Sequence, residues 1–197
     1  MKKYFRYLYT LKYIKLFSYW SARSLQLSRK ENHQHKYMYY YGFEILYGAI
    51  NKGLLLLLAG LILDILPQIL VTTLSFMLLR IFIGGLHFNN YTKCAWISLV
   101  TLVGMGLLGK YIPYNNLMNI IVFISLFFII LRYAPIPHPN RPLKDGDKGK
   151  FKCIAFCLLI AIYCVELLKG NPDINNSIMY GVLLAGIIAL PIFKNVE

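Results

Sequence analysis

The sequence predicts an all-α, polytopic integral membrane protein with four to six transmembrane helices and an amino-terminal interfacial helix. Three observations carry this. The 197 residues are 58% hydrophobic with a mean hydropathy of +0.55, where a soluble domain is about half apolar. Charged residues make up only 15%, against about a quarter in a soluble domain. Long apolar runs recur between short polar turns, and basic residues gather beside the runs rather than within them.

The first 40 residues hold nine Lys or Arg and one acid, Glu31, mixed with Tyr and Trp. No run there is long enough to span. Aromatic and basic side chains together suit a bilayer surface, so this segment reads as an interfacial helix on the cytoplasmic leaflet, with a disordered tail as the alternative. It lacks a clean apolar core and a small-residue cleavage site, so it is expected to be retained. The remainder, 41–197, reads as one helical membrane domain.

The first span is expected from about Gly42 to Leu66, with Glu44 and Lys52 in its first half. Asp64 and Pro67 mark a turn. The second runs from Gln68 to about Ile83. Gly84-Gly85 and Asn89-Asn90 then interrupt, so a break between helices is expected over Gly84–Asn90. The third span runs from about Lys93 to Leu108, and the fourth covers Leu117 to Leu131. The fifth covers Phe151 to Leu168, and the sixth covers Ile174 to Phe193 after the turn Gly170-Asn171-Pro172-Asp173. Several fall short of the roughly 20 residues a bilayer needs, which tilt or a thinned bilayer can accommodate.

A net charge of +13 raises nucleic acid as a partner, but the distribution opposes it. Residues 1–40 and 132–152 supply 15 of the 21 basic residues, and both stretches flank apolar segments. With six spans, both fall on the cytoplasmic side, together with the two termini and the Gly84–Cys94 segment. Anionic lipid is the partner such surfaces fit.

Polar groups inside an apolar chain are the candidates for chemistry. The segment Arg80-Ile81-Phe82-Ile83-Gly84-Gly85-Leu86-His87-Phe88-Asn89-Asn90-Tyr91-Thr92-Lys93-Cys94 holds a His and a Cys seven residues apart, the minimum for a thiolate nucleophile and its base. On one continuous helix, seven residues rise about 10.5 Å, too far for a hydrogen bond. A working pair therefore requires the chain to break between them. Asn90 or Thr92 can cap the next helix, which puts Cys94 in its first turn. There the free backbone N–H groups favour a thiolate, as do Lys93 and a protonated His87. The alternative is an interfacial His and a buried structural Cys.

Glu44 can orient His87, pair with Arg80, or stand as a solvated interfacial acid. Arg80 can fix Glu44, bind a peptide carboxylate, or extend to the cytoplasmic surface. Cys153, Cys157 and Cys164 share one face of the fifth helix and read as packing residues. No metal ligand set and no cofactor are expected. Tyr133 to Leu143 carries four prolines and reads as an extended loop.

These residues resemble those of the accessory gene regulator B (AgrB) family of bacterial membrane peptidases. Arg80, Gly84-Gly85, His87 and Cys94 match the family's Arg–Gly–His–Cys core and its seven-residue step. Tyr133-Ala134-Pro135 with Arg141-Pro142 matches its Tyr-Ala-Pro and basic-Pro loop, and Leu190-Pro191-Ile192-Phe193 matches its ending. Glu44 falls where the family carries Gln or Glu. The likeness covers roughly residues 40–195.

The resemblance implies a cysteine endopeptidase at the bacterial cytoplasmic membrane that removes the carboxyl-terminal tail of an AgrD-type propeptide. Cys94 would be the nucleophile and His87 the general base and acid. Glu44 would be an orienter, with Arg80, Gly84, Gly85 and Arg141 binding substrate or supporting the site. An acyl-enzyme would then be captured by a propeptide Cys or Ser side chain. The product would be a thiolactone or lactone autoinducer of quorum sensing. A homodimer is implied by the likeness alone. The competing readings are a non-enzymatic membrane transporter or exporter of a peptide, and a structural membrane partner that uses its basic surface.

Overall fold

The computed structural model describes residues 12–29, 33–85, 91–136, 145–168 and 170–190. Seven helices fall among them: α1 (Lys12–Arg29), α2 (His33–Ile62), α3 (Leu66–Ile83), α4 (Tyr91–Tyr111), α5 (Asn116–Tyr133), α6 (Asp145–Leu167) and α7 (Pro172–Ile188). The described residues include no strand. Four helical segments are long and apolar enough to cross a bilayer: Lys36–Ile62, Leu66–Ile83, Lys93–Tyr111 and Asn116–Tyr133. A helix satisfies its own backbone hydrogen bonds, the condition lipid imposes on a spanning segment.

Most helix ends follow from local chemistry. Pro67 stands in the first turn of α3 and Pro172 in that of α7, where a missing N–H costs nothing. Asn171 caps α7, its Oδ1 accepting from the Asp173 N–H at 3.0 Å. The helix α3 ends at Gly84, and Gly84 and Gly85 both take positive φ, so the expected break is found at this pair. The helix α2 departs from expectation by starting nine residues before Gly42. No breaker lies between His33 and Gly42, so the apolar span inherits a helical lead-in.

The chain forms two compact units. One comprises residues up to Leu56 together with Asn89–Leu99. In it, α1 buries Ile14, Ser18 and Ala22, one ridge at i, i+4 and i+8. Tyr13, Phe17 and Trp20 are exposed. The α1 and α2 helices are tied by the Ser21 and Tyr47 hydroxyls at 2.8 Å and by the Lys36 ammonium, which donates to the Tyr19 hydroxyl at 3.2 Å. The α2 ridge Glu44, Gly48, Lys52 and Leu56 turns inward: three are buried and Lys52 is half-buried.

The other unit comprises Leu57–Phe88 and residues from Val100 onward. Its centre is the packing of α3 on α7. Thr72 Oγ1 donates to the Ser177 carbonyl at 3.0 Å and Ser75 Oγ to the Ile178 carbonyl at 3.2 Å. Gly181 permits this approach, since a Cβ there would lie 2.5 Å from the Thr72 carbonyl oxygen. Small residues and cross-helix hydroxyls are the means by which helices associate in lipid, where apolar burial gives no advantage over lipid contact. Asn119 of α5 donates to Glu166 Oε1 of α6 at 2.5 Å. At the turns, Tyr114 and Tyr180 meet edge to face with centroids 4.6 Å apart, and Lys110 donates to the Asp64 carbonyl at 2.7 Å. Lys152 of α6 donates to the Leu131 carbonyl near the end of α5.

Candidate functional site

Cys94 is the fourth residue of α4 and half-buried. Against its sulfur stands Lys52 of α2, whose Nζ donates to Sγ at 3.6 Å. A shallow crevice adjoins the pair, lined by Lys52, Leu55, Leu56, Ala95, Ser98 and Leu99. Its walls are mostly aliphatic.

Sequence reasoning places Lys52 in the first half of the first span and gives it no role. Its 42-residue separation from Cys94 hides their proximity. The available signal was register, because Lys52 lies eight residues from Glu44 on the ridge that α2 buries.

Glu44 is only 5% exposed, which removes the reading of a solvated acid. The Tyr40 hydroxyl donates to its Oε1 at 3.4 Å, and the Lys15 ammonium of α1 acts on its charge. Burial of a carboxyl among such partners is the arrangement a polar group requires away from water.

Arg80, Gly84 and Gly85 belong to the second unit. Arg80 is half-buried in the last turn of α3, its guanidinium carbon 5.4 Å from the Phe76 ring centroid. Gly84 has φ 84° and ψ −157°, a region that glycine alone occupies readily. A Cβ at Gly84 would lie 2.8 Å from the Ile136 carbonyl oxygen, and the Ile136 N–H donates to the Ile83 carbonyl at 2.9 Å. Gly85 has φ 142°, and a Cβ there would meet Ile188 Cγ2 at 2.9 Å. The glycine pair therefore lets the chain leave α3 beneath the segment that follows Ala134-Pro135.

His87 and Arg141 lie outside the described residues. Cys153, Cys157 and Cys164 are exposed, which corrects the expectation that they pack inside. Their spacing placed them on one helix face, and that face of α6 is an outer one, shared with exposed Ile160.

Helices of this length and apolarity define a polytopic α-helical membrane protein. The family model described as Accessory gene regulator B matches residues 14–190. An Accessory gene regulator protein B of Staphylococcus intermedius is 31% identical over 140 residues, 68% of this chain and 71% of the relative. A putative AgrB-like protein of Clostridium acetobutylicum is 32% identical over 135 residues, 65% of each chain. A putative AgrB-like protein 2 of Clostridium perfringens is 22% identical over 169 residues, 77% of this chain and 79% of the relative. No solved structure matches. The chain belongs to the Accessory gene regulator B family.

Proposed function

We propose that the protein is a membrane cysteine endopeptidase of a quorum-sensing system. Its substrate is an AgrD-type propeptide, processed at the cytoplasmic face of the cell membrane. The observation that carries the reading is the Lys52 ammonium donating to the Cys94 sulfur at 3.6 Å, a few residues after the break that ends α3 at Gly84-Gly85. A thiolate is the reactive form of cysteine, and an ammonium beside the sulfur offers it a counter-charge.

In this reading Sγ of Cys94 attacks the scissile carbonyl carbon, forming a C–S bond and a tetrahedral oxyanion. His87 first takes the thiol proton and then delivers it to the leaving amine as the C–N bond breaks. The carboxyl-terminal tail departs and the remainder stays as a thioester on Cys94. A Cys or Ser side chain of the propeptide gives its proton to His87 and attacks that thioester, the C–S bond to Cys94 breaks, and Cys94 leaves as the thiolate. The ring closes as a thiolactone or a lactone, so the acyl group is conserved and no cofactor takes part. Glu44 orients His87, Arg80 and Arg141 hold the substrate, and the protein works as a homodimer. The α1 helix, with Tyr13, Phe17 and Trp20 exposed beside Lys12 and Arg23, lies on anionic lipid at the cytoplasmic surface.

The test uses membranes containing the protein and its cognate propeptide. Cys94→Ala and His87→Ala are expected to abolish release of the tail. Cleavage at the wild-type rate by either variant would refute the mechanism.

A further inference from the structure

We infer that Lys52 is a positioning residue for Cys94, holding the nucleophilic sulfur toward α2 through its ammonium hydrogen bond. The inference rests on the reading of Cys94 as the nucleophile, and it adds a residue outside the His–Cys pair. Four features of the structure support it.

The contact joins two helices rather than neighbours in sequence, so it records how α2 and α4 are set against each other. Lys52 Nζ lies 3.6 Å from Sγ, within the range of a hydrogen bond to sulfur. The long stem of Lys52 leaves α2 between the buried turns of Gly48 and Leu56, so its half-buried head is directed inward along the buried ridge. The aliphatic lining of Leu55, Leu56, Ala95 and Leu99 keeps the local dielectric low, where one positive charge acts strongly on one negative charge.

The division of labour follows from the chemistry of the two cations. An ammonium has three N–H donors and no acceptor. Lys52 in its charged form cannot take the thiol proton, so proton transfer falls to His87. Lys52 instead fixes the direction of the sulfur lone pair and supplies a counter-charge that stays in place through attack and departure.

The test separates local charge from overall folding. Wild type, Lys52→Met and Lys52→Arg are treated in native membranes with methanethiosulfonate reagents of similar size, one anionic and one cationic. Modification is quantified by mass spectrometry of the Cys94 peptide. A small free thiol added to the same samples serves as the reference. The anionic-to-cationic rate ratio at Cys94 is expected to fall about ten-fold in Lys52→Met and to stay within about two-fold in Lys52→Arg. The ratio at the reference thiol stays unchanged. In the propeptide cleavage assay, Lys52→Met is expected to lose at least about ten-fold in kcat with KM retained, and Lys52→Arg to recover most of it. An unchanged ratio at Cys94 in Lys52→Met would overturn the inference, and so would full cleavage activity in that variant. Cleavage that survives Cys94→Ala would instead overturn the peptidase reading, while the reagent ratio would still report on Lys52.

Discussion

Replacing Gly84 with Ala tests how the chain leaves α3. The residue sits at φ 84° and ψ −157°, where a side chain costs about 1–3 kcal/mol. The added Cβ would lie 2.8 Å from the Ile136 carbonyl oxygen and 3.3 Å from the Ile136 nitrogen. These are backbone atoms and cannot rotate away. Relief requires Ile136 to move, which breaks its N–H bond to the Ile83 carbonyl. That loss adds about 0.5–1.5 kcal/mol. The two effects together give a destabilisation of about 2–4 kcal/mol, a large share of ordinary protein stability. Gly104→Ala is the matched control, since Gly104 lies within α4 and a Cβ there meets no atom within 4 Å. There the change is expected to stay within about 1 kcal/mol, in the stabilising direction. The assay is unfolding of the purified protein from mild detergent by increasing sodium dodecyl sulfate, followed by circular dichroism and Trp fluorescence. Gly84→Ala within about 0.5 kcal/mol of wild type would refute the strain argument.

Three further outcomes follow from other contacts. Asn119→Ala removes the donor to Glu166 Oε1 and leaves the carboxyl without it, so the same assay is expected to show a loss of about 1–3 kcal/mol. Lys110→Met removes the hydrogen bond to the Asp64 carbonyl together with an ion pair whose carboxylate is fully exposed, so only a small fall in the detergent midpoint is expected, and added salt is expected to leave it unchanged. Burial pushes the Tyr114 phenol up to about 12 from its usual 10. The folded state therefore holds this proton more tightly than the unfolded state, and the associated stability is complete below pH 10 and lost between pH 10 and 12. Tyr114→Phe is expected to lessen that alkaline loss, measured as unfolding midpoints at successive pH values.

Run length and breakers made the fold legible. Each of the six apolar runs became one helix, α2 to α7, because a chain in lipid has to satisfy its backbone internally. Pro67, Gly84-Gly85 and Asn171-Pro172 punctuated the sequence where helices start or stop. The start of α2 was misjudged because polarity changes near Gly42 while helical preference does not. The break before Cys94 was legible for a similar local reason: Gly84-Gly85 stops α3. The partner of Cys94, Lys52, was not, because proximity between α2 and α4 is a tertiary fact with no local signature. The α6 cysteines show the converse limit. Periodicity groups residues on a face, but only packing decides whether that face points in or out. The glycine pair was readable as a break, yet the need for glycine at Gly84 comes from Ile136, more than fifty residues later.

The central claim is that Cys94 carries the propeptide as a covalent intermediate. The direct measurement is intact-mass spectrometry of the protein quenched in acid within seconds of mixing with its propeptide. A propeptide whose ring-forming Cys or Ser is replaced by Ala will prolong the intermediate. The account predicts a mass increase equal to the amino-terminal propeptide fragment, carried on the Cys94 peptide, removed by hydroxylamine and absent in Cys94→Ala. Released tail with no adduct on Cys94, or an adduct that persists in Cys94→Ala, would contradict it.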